Sequence, residues 1–189
     1  MRFVFLILLL FYFTTTTFAQ REDRYFFWPV DEATQKIIFR EVVYATGVSA
    51  ADLYKSAKIF AYNNFRAEKG QYIIENDTIK TVLAKGIHHV DVPELGDRGE
   101  GFITFEISVR SVDNSYKYSI TNLEHFSSVE KGVIGGPLEN DKPISNGMLF
   151  PRRYWEQLRE KCYYYTEMLI EQLKESMVKH SKPSVAGKR

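Results

Sequence analysis

The chain has 189 residues, with 25 Lys and Arg against 24 Asp and Glu, and a single cysteine, Cys162. So even a charge balance argues against a surface built to grip nucleic acid by counterion release. A lone cysteine excludes an intramolecular disulfide, and an aromatic share of 15% argues for a packed core and against disorder.

The first segment reads as an address. Arg2 precedes an apolar run, Phe3 to Phe13, and the stretch TTTTFA brings small residues, Thr17 and Ala19, to the −3 and −1 positions of a cleavage site. The run holds 11 residues, too few to span a hydrocarbon layer of about 30 Å. A signal peptide at 1–19 is therefore expected, cut between Ala19 and Gln20, with export to the periplasm or the cell exterior. Its removal takes away Arg2 and no acid, so the mature chain carries 24 basic and 24 acidic residues and no net charge. No transmembrane span is expected after cleavage.

Residues 20–35 mix charge with an aromatic knot, Tyr25 to Trp28, and suggest an extended entry segment whose aromatics dock on the domain. The stretch KIIFREVV, Lys36 to Val43, is β-branched and apolar, as a strand should be. Gly47 marks a turn, and Ser49 with Asp52 has the spacing of a capping box. Leu53, Ala57, Phe60, Ala61 and Phe65 then recur at three and four residues, which predicts a helix ending by a left-handed Gly70.

Strands are expected over QYIIEN and IKTVLAKGIHHV, turned at Asn76-Asp77. In the next stretch Ile103, Phe105, Ile107 and Val109 alternate with Thr104, Glu106, Ser108 and Arg110. After Asp113-Asn114, Tyr118 and Ile120 alternate with Lys117, Ser119 and Thr121. One apolar and one polar side implies an antiparallel sheet covered on one face only. Residues 127–150 form a long Gly/Pro-rich connection, expected to be mobile because such segments carry few packing anchors. Trp155, Leu158, Cys162, Tyr165, Leu169, Leu173 and Met177 mark a long helix with Pro151 in its first turn. The tail, 181–189, is expected to be disordered. Residues 36–180 thus make one domain.

Chemistry is sparse. No nucleophile elbow, zincin spacing or P-loop is present. Adjacent His88 and His89 should point to opposite faces of a strand, as should Glu124 and His125, so neither pair suits a single metal ion. Cys162 sits on an apolar helix stripe and reads as an inert buried thiol. Glu75, Asp77, Glu94, Asp97 and Glu100 read as solvated loop acids. No cofactor or metal site is expected.

The stretch Trp28 to Phe65 resembles an exported bacterial family, the domain of unknown function 4468 with a TBP-like fold. The resemblance rests on Pro29, Asp31, Lys36, Ile37, Glu41, Val42, Val43, Gly47, Leu53, Tyr54, Ala57 and Phe65, and later on Tyr116 to Asn122 and the helix from Trp155. Phe60 stands where Trp is common, and Gln35 where Gly often begins the first strand. The resemblance implies export and an α+β fold, a curved antiparallel sheet with two helices packed on one face, and no known reaction.

Candidate binding residues are those of the open sheet face: Arg40, Thr104, Glu106, Ser108, Arg110, Lys117, Ser119 and Thr121. The expected function is a non-enzymatic binding module of the cell envelope, its partner a protein, peptide or glycan. Alternatives are an envelope hydrolase with a site built from loops 91–101 and 127–150, and a self-associating structural module.

Overall fold

The computed structural model describes residues 27–66, 68–145 and 150–180. The expected leader with its Ala19–Gln20 cleavage site, Tyr25 and Phe26 of the entry segment, and the tail at 181–189 lie outside the described residues. The elements are β1 (Phe39–Tyr44), α1 (Ala50–Asn64), β2 (Tyr72–Asn76), β3 (Thr81–Val90), a 3₁₀ segment (Pro93–Gly99), β4 (Gly101–Val112), β5 (Ser115–Ser127), β6 (Gly136–Pro137) and α2 (Arg152–His180).

The strands form one antiparallel sheet in the order β1-β5-β4-β3-β2, with β6 added to β5. Two-residue alternation sends Val82, Ala84, Ile103, Phe105, Ile107, Val109, Tyr118 and Ile120 to one side, where all are buried. Both helices cover that side. Leu53, Ala57, Phe60, Phe65, Trp155, Leu158 and Leu169 are buried there with Phe39, Phe105, Ile107 and Ile120, as the helical spacing predicts. The fold is the expected α+β layering of two helices on one face of a sheet.

The start of α1 follows its sequence signal. Ser49 is extended (φ −73°, ψ 153°), its Oγ accepts the Asp52 N–H at 3.1 Å, and its hydroxyl donates to the Asp52 carboxylate at 2.6 Å. The β4–β5 turn ties on from outside: Asp113 accepts the Ala50 N–H and Asn114 accepts the Gly47 N–H. The end of α1 differs from expectation. The helix stops at Asn64, because Phe65 leaves it (φ −130°) to bury its ring between Phe60 and Phe105. Gly70 does adopt a left-handed φ of 98°, in the turn that enters β2 and not as a helix cap.

Three further expectations are corrected. The β1 ladder begins at Phe39; Ile37 instead bridges Val30, and its N–H donates to Glu139. Gln35, before that bridge, holds a left-handed φ of 56°, which explains why glycine suits this position. Of the entry aromatics, Trp28 docks edge-on against Phe39 and Tyr163, but Phe27 is 80% exposed. Finally, the 127–150 connection is anchored where it is described. Val133, Leu138 and Phe150 are buried, Leu138 N–H donates to Leu123 O, and β6 joins the sheet. Gly135 lets this segment lie flat on Trp155, whose ring a Cβ at that glycine would meet at 2.1 Å. The carbonyl of Pro151, one residue ahead of α2, accepts the Tyr154 and Trp155 N–H groups.

Candidate functional site

The strand register brings the eight predicted face residues to one side of the sheet. Arg40, Ser119, Ser108 and Leu83 stand in one row across four strands, and Val42, Lys117, Arg110 and Thr81 in the next. A third row runs Thr121, Glu106, Lys85 and Tyr72. The face is thus polar and cationic at its middle, with small serines between the charges. Arg110, Lys117 and Arg40 are exposed, while Glu106, Ser108, Ser119 and Thr121 are half-buried.

Three of the eight are less available than predicted. Arg40 is paired with Asp31 at 3.2 Å. Glu106 accepts hydrogen bonds from Tyr72 at 3.0 Å and Asn122 at 2.9 Å, so its carboxylate is engaged within the sheet. Thr104 lies on the same side but is buried. A β-bulge falls beside it. Thr104 pairs with Glu124 and Glu106 with Thr121, so Asn122 and Leu123 together oppose Phe105. Asn122 absorbs the extra residue with a left-handed φ of 56°. Beyond the bulge the face changes character: Phe102 and Phe126 stack at 5.7 Å, and Ile87 stands opposite Thr104.

The other candidate groups are packed away. His88 lies on the Tyr165 ring, with centroids 3.4 Å apart, and its burial lowers its pKa to about 4, with His89 a smaller cause. His89 points the other way and meets Glu68 at 2.9 Å. His125 is fully buried beside Phe150 and Trp155, and its Nδ1 accepts the Gly135 N–H at 2.9 Å. Cys162 is buried, which pushes its thiol pKa up. Among the described residues no cluster of three or more His, Cys, Asp and Glu could hold a metal ion. Glu75 is held by Tyr62 and Lys58, and the Tyr62 hydroxyl is the main cause of its lowered pKa.

Sequence reasoning missed a groove of about 490 Å³ at the sheet's rim. It lies between β1 and the second half of α2, and none of its lining residues comes from the loops at 91–101 and 127–150. Phe39, Tyr163 and Ile170 supply apolar walls, and Asp31, Glu167 and Glu171 supply acids. Glu41 sits in it at 2.9 Å from both Lys174 Nζ and the Tyr118 hydroxyl, whose hydrogen bonds lower its pKa. No local pattern announces this groove, because its walls are more than 100 residues apart in the chain.

The family model of the domain of unknown function DUF4468, with TBP-like fold, matches residues 39–126. This chain carries a DUF4468 domain. The match runs from the first residue of β1 almost to the end of β5, so it takes in α1 and the five long strands. Two solved structures are similar to the chain. One is a TBP-like protein from Parabacteroides distasonis ATCC 8503, with a TM-score of 0.60 and 12% identity over 80% of this chain and 97% of that one. The other is a DUF4468 family protein from Bacteroides ovatus ATCC 8483, with a TM-score of 0.59 and 15% identity over 84% of this chain and 94% of that one. At such identities the likeness is one of fold, and it extends beyond the span of the family match. No curated protein matches the chain. The DUF4468 domain therefore has a shape in common with these proteins, and its function has to be argued from its own surfaces.

Proposed function

We propose that this DUF4468 domain is an exported, non-enzymatic binding module of the cell envelope, and that its open sheet face contacts a protein, peptide or glycan. The observation that carries this reading is the row structure of that face: Arg40, Lys117 and Arg110 surround half-buried Ser108 and Ser119 on a surface no helix covers. Small residues ringed by longer charged ones leave room for a ligand's side chains or hydroxyls while offering several hydrogen-bond donors. A binding role also suits where the reactive groups lie, since His88, His125 and Cys162 are held in packing and do not border the face. The leader read at 1–19 supports export. Among the described residues no helix is long and apolar enough to cross a membrane.

The test is capture by chemical cross-linking from envelope extract, using the processed chain, residues 20–189, and a variant carrying Arg110→Glu and Lys117→Glu. Both side chains are exposed, so the variant should keep the parent's melting temperature within a few degrees. A partner captured by the parent and lost from the folded variant is expected. Equal capture by both, or none by either, would contradict the proposal. Intact mass of the exported protein checks the address, with Gln20 expected as its first residue.

A further inference from the structure

We propose that the pocket between α1 and the β2–β3 turn binds a small amphipathic anion, a flat apolar body that carries a sulfonate, sulfate or carboxylate head. The pocket lies on the helix-covered side of the sheet and is separate from the face contact proposed above.

A second stripe on α1 builds one wall. Leu53, Ala57 and Phe60 are buried in the core. Beside them Ala51, Tyr54, Lys55, Lys58, Ile59 and Tyr62 share another side of the helix, at spacings of three and four residues. The turn that carries Asp77 and Lys80 forms the opposite wall, and the space between holds about 570 Å³. That volume falls within the range of small-ligand sites, roughly 300–1,000 Å³. The rings of Tyr54 and Tyr62 and the side chain of Ile59 make its apolar lining.

The charges around it are mostly positive. Lys58 Nζ lies 4.9 Å and Lys80 Nζ 5.4 Å from the centroid of the same Tyr54 ring, and exposed Lys55 lines the pocket with them. Arg66 sits over the Tyr62 ring at 4.2 Å. Two acids oppose these four cations. Glu75 takes Lys58 at 3.2 Å. Asp77 lies beside the buried Tyr54 hydroxyl, whose pKa is pushed up to about 12, by burial first and Asp77 second. That hydroxyl therefore stays a donor, and among the described residues no contact to it has the geometry of a full hydrogen bond. Lys55 and Lys80 have no ion pair among the described residues. Like charges gathered on one ring repel, and an anion seated between them would offset that cost. Lys80 is also held there against its backbone preference. Its φ of 50° is left-handed, where a turn usually carries glycine or asparagine, yet the chain has lysine and aims its ammonium back over Tyr54.

The probe is anilinonaphthalene sulfonate, whose fluorescence rises in apolar surroundings, compared with phenylnaphthylamine, the same rings without the sulfonate. The processed chain should bind the sulfonate dye saturably, and the neutral dye at least about tenfold more weakly. Amide NMR shifts should move at Tyr54, Tyr62 and Lys80 and stay in place at Phe39 and Ile170. Lys80→Gly should keep or raise the melting temperature, since glycine suits that φ, while weakening sulfonate binding by at least about tenfold. Lys80→Arg should keep the binding, and Lys55→Gln, at an exposed position, should weaken it. Arg110→Glu with Lys117→Glu should leave it unchanged, which separates this site from the open face. No binding of the sulfonate dye, equal binding of the neutral dye, shifts confined to other parts of the chain, or undiminished binding by Lys80→Gly and Lys55→Gln would overturn the proposal.

Discussion

Gly135 gives its N–H to Nδ1 of His125, so a second proton on that ring would set donor against donor inside an aromatic cage. Burial alone lowers this histidine's pKa to about 4, from an ordinary value of 6.5. Between those values the unfolded chain binds a proton that the folded chain refuses. The stabilisation is complete above about pH 6.5 and is lost as pH falls toward 4, by roughly 3 kcal/mol. His88, stacked on Tyr165, acts in the same direction. Melting temperature should therefore fall steadily from pH 7 to pH 4.5, and His125→Asn, which keeps an acceptor for Gly135, should flatten that slope. A parent protein equally stable at both pH values would refute this account of the ring. The inward aim of His125 was not legible, because alternation from Tyr118 and Ile120 would send it to the open face and the bulge at Asn122 reverses the side. What it meets was hidden too, because Gly135 and Gly136 return to it only through the tertiary fold.

At the scale of elements, local signals were most legible where they concern neighbours in the chain. Ser49 and Asp52 announce the start of α1, and the cap forms as their spacing requires. Ser49→Ala should cost about 1 kcal/mol, whereas Trp155→Ala, which empties a fully buried site on α2, should cost about 3–5 kcal/mol. Urea unfolding of the two variants would check that order, and a larger loss at Ser49 would reverse it. The end of α1 was not legible, since Phe65 leaves the helix for a ring contact with Phe105 across 40 residues of sequence. The 127–150 connection misled for a related reason. Its glycines and prolines look like a mobile linker, yet Val133, Leu138 and Phe150 are apolar anchors spaced too widely to show a period.

The whole molecule divides into a closed side and an open one. The helices seal the apolar side of the sheet, and the opposite side keeps its charged and hydroxyl residues in view of solvent. That division was legible from alternation in β4 and β5, and the register set all eight residues on the predicted side. The bulge at Asn122 was not legible, and it turns Leu123 and His125 to the buried side. The rim groove was equally hidden, since it depends on how α2 crosses beneath β1. The most direct measurement is site-specific photo-cross-linking in cells, with a benzophenone side chain at Ser119 on the open face and, separately, at exposed Met168 on α2. A binding face predicts a discrete adduct from Ser119 and none from Met168. Adducts from Met168 alone, or from neither position, would contradict it.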